Sequence, residues 1–392
     1  MIDKNEIMEV SQAVNLRADV VEKDYILSWL LAGINWHKDL KTKWIFKGGT
    51  CLKKCYFETY RFSEDLDFTV TDITHLNPEY LKEKFIEIAE MLYEESGIKC
   101  PEELITFKLK KNKKGNPTIE GKVGYIGPML RTVRSIAKIK LDLTNDEIVV
   151  LEPAHQKLYH PYTDDPINGI SVRCYGYEEV FAEKTRALAE RARPRDLYDV
   201  IHLFRNNSHA VNKSLLLSTL KKKCDFKQIA VPTYESIQKH KKYGELESEW
   251  ENMLSHQLPL LPSLEHFMGE LPDFFEWLHS TKEPVILPET GLKSGEEKWQ
   301  PGRIRTYGDL DQSVQKIKFA AANRVCIRLT YSRKVRTIEP YSFRRSRDGA
   351  RLFYGWHQEA GQIKCFRIDR FEALEVTNIS YTPRFHVEIS SN

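Results

Sequence analysis

The sequence predicts an α+β protein in which a mixed helix and strand region leads into a helical bundle and then into a small antiparallel β region. Three observations predict it. Short apolar runs interrupt helical periodicity up to about residue 225, the stretch from Glu235 to His279 is helical in period and acidic, and alternating segments recur from Val325 onward. The chain has 392 residues, more than one compact domain usually needs, so two or three domains are expected.

The elements follow in order. Residues 18 to 34 place Val20, Val21, Tyr25, Ile26, Trp29, Leu30 and Leu31 at helical spacing, which predicts an amphipathic helix. Trp44-Ile45-Phe46 reads as a buried strand that stops at Gly48-Gly49, followed by a helix from Thr50 to about Tyr60 and a strand from Leu66 to Val70. Tyr80 to Glu95 reads as helix, and Ile105 to Leu109, Gly121 to Ile126 and Ile136 to Thr144 read as strands, with a polar turn from Lys111 to Pro117. Helices are expected at Glu178 to Ala192, Arg195 to Phe204 and Lys213 to Lys223. Thr281 to Gly302 contains Pro284, Pro288, Pro301, Gly291, Gly295 and Gly302 with mixed charge, the composition of a linker. Beyond it, a helix from Asp309 to Ala321 leads into strands at Val325 to Tyr331, Leu352 to Trp356, Lys364 to Ile368 and Ala373 to Val376. The expected domains are therefore 1–225, a helical extension 226–280, the linker 281–303, and 304–392.

Lys plus Arg (59) nearly balance Asp plus Glu (56), so net charge alone draws the whole chain to no partner. The distribution says more: from Pro301 onward the net charge is +8, which leaves −5 for the first 300 residues. Seven cysteines, an odd number with no Cys-x-x-Cys, argue against a disulfide framework or a thiolate zinc site, and free thiols in a cytoplasmic protein are expected. Asp3, Lys4, Glu6 and Glu9 stand where a signal peptide needs an apolar core, and no apolar run reaches the length that spans a bilayer.

The chemistry concentrates in Phe46-Lys47-Gly48-Gly49-Thr50 and Arg61-Phe62-Ser63-Glu64-Asp65-Leu66-Asp67-Phe68. Two glycines between a strand and a helix let backbone N–H groups approach a phosphate, and the helix start adds its positive dipole end. Asp65 and Asp67, two apart on a strand, point to one side and suit a shared divalent cation. Asp142, in the alternating run Ile139-Lys140-Leu141-Asp142-Leu143, is a third acid for a metal site of the kind that moves nucleotidyl groups. Each piece alone is an ordinary turn or a solvated strand end; the joint spacing favours chemistry. On a later helix Lys184, Ala187, Leu188 and Arg191 share a face, so Lys184 and Arg191 can reach an anionic triphosphate, or simply line a solvated face. Asp196 either belongs to that site or caps its helix after Pro194. Ser63 either touches phosphate or bonds the turn backbone.

These residues resemble the AbiEii/AbiGii-type nucleotidyltransferase toxins of bacterial abortive-infection and toxin–antitoxin systems. The match runs through Glu22-Lys23-Asp24-Tyr25, Phe46 to Thr50 with Leu52, Lys54 and Tyr56, Arg61 to Phe68, Asp142, Ala182-Glu183-Lys184 with Arg186-Ala187-Leu188, and Arg191 with Arg195-Asp196-Leu197-Tyr198-Asp199. The resemblance implies a polymerase-beta-like nucleotidyltransferase fold over the first half of the chain. It implies Gly48, Gly49, Thr50, Lys54, Ser63, Lys184 and Arg191 on the nucleotide, Asp65, Asp67 and Asp142 on Mg²⁺ or its substitute Mn²⁺, and Lys184 and Asp196 as later active-site residues.

In the tail, basic residues recur beside aromatics on expected strands, an arrangement that grips phosphate while a ring stacks on a base, or equally a small barrel with solvated arginines. The order of residues resembles a WYL domain, an SH3-like β module that acts as a ligand sensor or nucleic-acid-binding regulator, although Leu329-Thr330-Tyr331 stands where the Trp-Tyr-Leu tripeptide is expected. Arg336, Arg344, Arg367 and Arg370 are the candidates for its anion-binding surface, with single-stranded nucleic acid or a nucleotide as ligand.

The expected function is a metal-dependent nucleotidyltransferase toxin that transfers a nucleoside monophosphate from an NTP to an RNA acceptor, a tRNA 3′ end, with an antitoxin as partner. Two alternatives stand beside it: modification of a protein hydroxyl, and a WYL-type sensing regulator with little catalysis.

Overall fold

The computed structural model describes residues 1–112, 114–130, 136–166, 169–207, 211–280 and 287–389. It is α+β, as expected, and divides into two compact units. The first comprises residues 1–190, 211–232 and 304–309, and the second residues 191–210, 233–303 and 310–392. Neither follows the domain boundaries that composition suggests.

The first unit is built on a seven-stranded mixed sheet. Its strands are β1 (Trp44–Lys47), β2 (Asp65–Val70), β3 (Ile105–Lys111), β4 (Pro117–Tyr125), β5 (Ala137–Thr144), β6 (Ala154–Lys157) and β7 (Ser171–Cys174), ordered β3-β4-β5-β2-β1-β7-β6. Strands β2 and β5 run parallel, as do β1 and β7, and the other pairs are antiparallel. β6 and β7 have four residues each, too short to stand out as periodic in the sequence.

The helix Ala18–Trp36 is not the amphipathic element expected. It is buried on nearly every side, and Glu22, Asp24 and Ser28 are buried along with its apolar residues. The polar positions that suggested a wet face have internal partners instead: Asp24 accepts from Lys54 at 2.6 Å and from the Tyr162 hydroxyl at 3.0 Å, and Glu22 accepts from the Met129 amide at 2.8 Å. Gly33 lets this helix meet Pro78–Ser96, since a Cβ there would lie 2.5 Å from Ile88. The second helix buries Leu81, Phe85, Ile88 and Leu92, starts on the Asn77 side chain and stops at left-handed Gly97.

The helix expected from Thr50 to Tyr60 is shorter. After Gly48–Cys51 the chain widens into one turn over Leu52–Tyr56, closed by the Phe57 amide on the Leu52 carbonyl at 2.9 Å. Two further helices, Tyr177–Arg191 and Lys213–Lys227, belong to this unit apart from the final residue of the first. They are joined by a buried ion pair, Lys223 with Glu179 at 2.5 Å, whose carboxylate also accepts from the Val150 and Leu151 amides. Tyr307, far along the chain, belongs to this unit: its amide donates to Pro161 and its ring packs edge-on against Tyr162 at 5.3 Å.

The second unit combines helices with an antiparallel sheet. Pro194–Asn207 is joined by short helices between Tyr234 and His279, and Arg205 on the long helix holds Glu270 through two hydrogen bonds of 2.9 and 2.7 Å. The sheet contains β8 (Glu297–Lys298), β9 (Val325–Tyr331), β10 (Lys334–Arg345), β11 (Arg351–His357), β12 (Gln362–Arg367) and β13 (Ala373–Ser380), ordered β12-β11-β10-β9-β13 with β8 on β10. Ile327, Leu329, Ile338, Phe343, Phe353 and Phe366 form its core with Val314, Ile317 and Ala320 of the helix Gln312–Asn323. The whole of β10 escapes sequence reading because its charged residues mask the alternation. Of the linker segment, 281–286 lies outside the described residues; Lys298 and Glu297 pair with Arg344 and Arg345, and Trp299 packs on the sheet core.

Candidate functional site

Strand register builds the site. Lys47 lies opposite Asp67 across β1 and β2, Asp67 opposite Asp142 across β2 and β5, and Asp142 opposite Glu120 across β4 and β5. Asp65 is two residues before Asp67 and therefore on the same face. Four carboxylates, Asp65, Asp67, Glu120 and Asp142, and Lys47 thus lie on one face of the sheet, opposite the apolar face of Leu66, Phe68, Leu141 and Leu143.

The loop after β1 closes on this row. Gly48 has φ of +81°, a conformation glycine adopts without strain, and a Cβ there would lie 2.2 Å from Oδ2 of Asp67. Gly49 faces Arg61 and Ser63: a Cβ would lie 2.5 Å from Nη2 of Arg61 and 3.2 Å from Oγ of Ser63. Thr50 donates its hydroxyl to the Asp65 carbonyl at 2.5 Å, which fastens the turn to β2. The residues expected to cradle a phosphate are therefore assembled with a buried guanidinium, Arg61, beside them.

Electrostatics sharpen the picture. Burial, then the neighbouring Asp142, pushes the Asp67 carboxyl up to about 6, against the pull of Lys47 and Lys184. That cost is what a divalent cation removes, and an all-oxygen donor set suits a hard ion such as Mg²⁺. Lys184, 7% exposed on the helix Tyr177–Arg191, is close enough to pull electrostatically on Asp67. Lys140, opposite Asp65 in the register, bonds Asp142 at 2.6 Å.

Lys47 has the role the sequence reading missed. Its ammonium is buried and bonds Glu183 at 3.2 Å; burial opposes its charge, but Glu183, Glu147, Tyr175 and Asp67 outweigh that and hold it well above the usual lysine range. Glu183 is drawn down to about 2 by Lys47, Lys223 and Arg186, which overcome its own burial. The available signal was a lysine ending an otherwise apolar strand. Arg61 and Lys140 carried no signal beyond their place in the motifs.

Two expected nucleotide contacts are otherwise engaged. Lys54 is 1% exposed and holds Asp24, and burial lowers its proton affinity despite that partner. It braces the helix behind the glycine turn. Arg191 clasps Asp196 with bonds of 2.6 and 2.7 Å, and Asp196 is itself buried; both belong to the second unit. In that unit Arg344 is fully buried, bonded to Glu388 at 2.7 Å, which removes it from any exposed anion surface. Arg336 donates to the carbonyls of Tyr331 and Lys334, Arg367 pairs with Asp369 at 2.9 Å, and Arg370 is exposed. Among the described residues, no helix is long and apolar enough to cross a membrane.

The family described as nucleotidyl transferase AbiEii toxin, type IV toxin–antitoxin system, matches residues 29–280, a span that holds the glycine turn, the acid row and Lys184. The chain belongs to this family. It is a nucleotidyltransferase and a toxin of a type IV toxin–antitoxin system. No curated protein matches it. Among solved structures, the AbiEii-family chain is similar to MenT4, a nucleotidyltransferase toxin from Mycobacterium tuberculosis H37Rv, at 17% identity and a TM-score of 0.48, covering 70% of this chain and 90% of MenT4. The proteasome accessory factor B/C (PafBC) of Arthrobacter aurescens aligns with 93% of this chain and 73% of its own at 11% identity and a TM-score of 0.17.

Proposed function

We propose that this toxin transfers a nucleoside monophosphate from an NTP to an RNA 3′ end, a tRNA, with Asp65, Asp67 and Asp142 holding Mg²⁺. The observation that carries the reading is the register of Lys47, Asp67 and Asp142 beneath a turn whose Gly48 is packed onto Asp67. The acceptor hydroxyl attacks the α-phosphorus, the bond from that phosphorus to the β-phosphate oxygen breaks, and pyrophosphate leaves. Asp142 accepts the hydroxyl proton. Gly48, Gly49 and Thr50 orient the triphosphate, and Arg61 and Lys184 offset its charge. The ion, when bound, polarises the phosphates and stabilises the leaving oxygen.

In the same reading Lys47 keeps the row in place from below through Glu183, and Arg191 with Asp196 positions its own helix junction. The C-terminal sheet, with Arg370 exposed, is the part that meets the acceptor or a regulatory ligand. The experiment incubates the full chain with each labelled NTP, Mg²⁺ and total RNA. Label in RNA supports the reading; label in protein alone, or none with any NTP, rejects it.

A further inference from the structure

We propose that Cys51, Cys55 and Cys174 form a binding site for a thiophilic divalent cation, zinc(II) being the expected ion, behind the glycine turn. The three sulfurs lie within 4.8 Å of one another and all three residues are buried. Thiolates about 2.3 Å from a zinc ion stand roughly 3.8 Å apart in a tetrahedron, so shifts of about 1 Å or less close this triangle on an ion. Spacing along the chain conceals the group. Cys51 and Cys55 are four residues apart with no Cys-x-x-Cys, and Cys174 arrives on β7 much later.

Buried cysteines usually act as small apolar side chains, each among hydrocarbon neighbours. Here the sulfurs face one another instead. Each thiol gives up its proton as its sulfur takes the cation. The complex of three thiolates with a 2+ ion keeps one negative charge. Lys54, whose ammonium interacts electrostatically with Cys55, opposes it. The Tyr56 hydroxyl, which donates to the Tyr175 carbonyl at 2.7 Å, lies 3.9 Å from the Cys174 sulfur.

The location gives the site a purpose. Cys51 directly follows Thr50, and Cys174 pairs with Phe46, the residue before Lys47 and the glycines. An ion held by these sulfurs ties the start of the helix after the turn to the strand beside β1, so both ends of the turn are fixed.

The test uses the full chain, reduced and stripped with a chelator, then titrated with Cd²⁺ or Zn²⁺ alone. One equivalent is expected to bind, with ultraviolet thiolate-to-cadmium charge-transfer absorption, release of two to three protons per zinc, and a rise in melting temperature. Cys51→Ser and Cys174→Ser should each weaken binding by roughly 100-fold or more, while Cys224→Ser leaves it unchanged. Should a serine variant fail to fold, the cadmium absorption and proton count of the unsubstituted chain decide the matter. A reduced chain without charge-transfer absorption, or binding that Cys51→Ser and Cys174→Ser leave intact, overturns the proposal.

Discussion

Gly48 and Asp67 are packed so closely that a methyl group on the glycine would lie 2.2 Å from the carboxylate oxygen. The glycine turn and the acid row are thus one steric unit. Gly48→Ala adds that clash to a φ of +81°, so transfer should fall by about 100-fold or more and stability by roughly 1–3 kcal/mol. Thermal melting and single-turnover kinetics measure the two losses separately.

In the metal-free protein Asp67 should make a contribution to stability that falls as pH rises, opposite in sign to that of His266, whose imidazole burial draws down to about 4. Asp67 binds its proton more tightly in the folded chain, with a pKa of about 6 against an ordinary 3.8. The folded state therefore holds more protons than the unfolded state between these values. The Asp67 contribution is fully present below about pH 4 and is lost as pH rises through 6. Asp67→Asn should flatten this slope in chelator; an unchanged slope would reject the assignment.

Asp65→Ala with Asp67→Ala should abolish transfer and any growth toxicity while leaving the fold intact. Removing two acids that repel each other and Asp142 is expected to hold or raise the melting temperature. Full activity in the double variant would remove both from the site.

Lys184→Ala and Arg191→Ala should separate chemistry from support. The first is expected to lower turnover by roughly 100-fold with little loss of stability. The second leaves Asp196 buried without its bidentate cation and should lower the melting temperature, with activity per folded molecule less affected. Equal turnover for Lys184→Ala and the unsubstituted chain would return that lysine to a supporting role.

In the C-terminal sheet, Arg344→Ala should destabilise by roughly 3 kcal/mol, because it leaves the buried Glu388 with the more distant Lys298, 3.6 Å away, in place of a cation at 2.7 Å. Arg370→Ala should leave stability unchanged and weaken nucleic-acid binding in a salt-dependent way. Chemical denaturation and binding at two ionic strengths distinguish them.

Asp65, Asp67 and Asp142 were legible because period-two alternation states which side of a strand an acid occupies. Gly48 was legible because its freedom is local. Lys47 was not, since its partner Glu183 is 136 residues away and no local pattern announces such a pair. Arg344 misled for the same reason: an arginine in a basic tail reads as solvated until Glu388 is seen folded onto it. The helix Ala18–Trp36 looked half wet because Glu22 and Asp24 draw their partners, Met129, Lys54 and Tyr162, from segments far along the chain.

Tyr307 carries a consequence for how the toxin comes into being. Its ring backs Tyr162, whose hydroxyl reaches Asp24, and Asp24 holds Lys54 just beyond the glycine turn. A ribosome emits these residues in order, and the family match ends at residue 280, before this tyrosine emerges. A fragment cut at that point keeps every acid of the row yet lacks the ring that packs on Tyr162. During synthesis, then, the unit that carries the acid row is sealed only after the helices from Tyr234 to His279 of the other unit have already been made, so the completed toxin is a late product of translation rather than an early one.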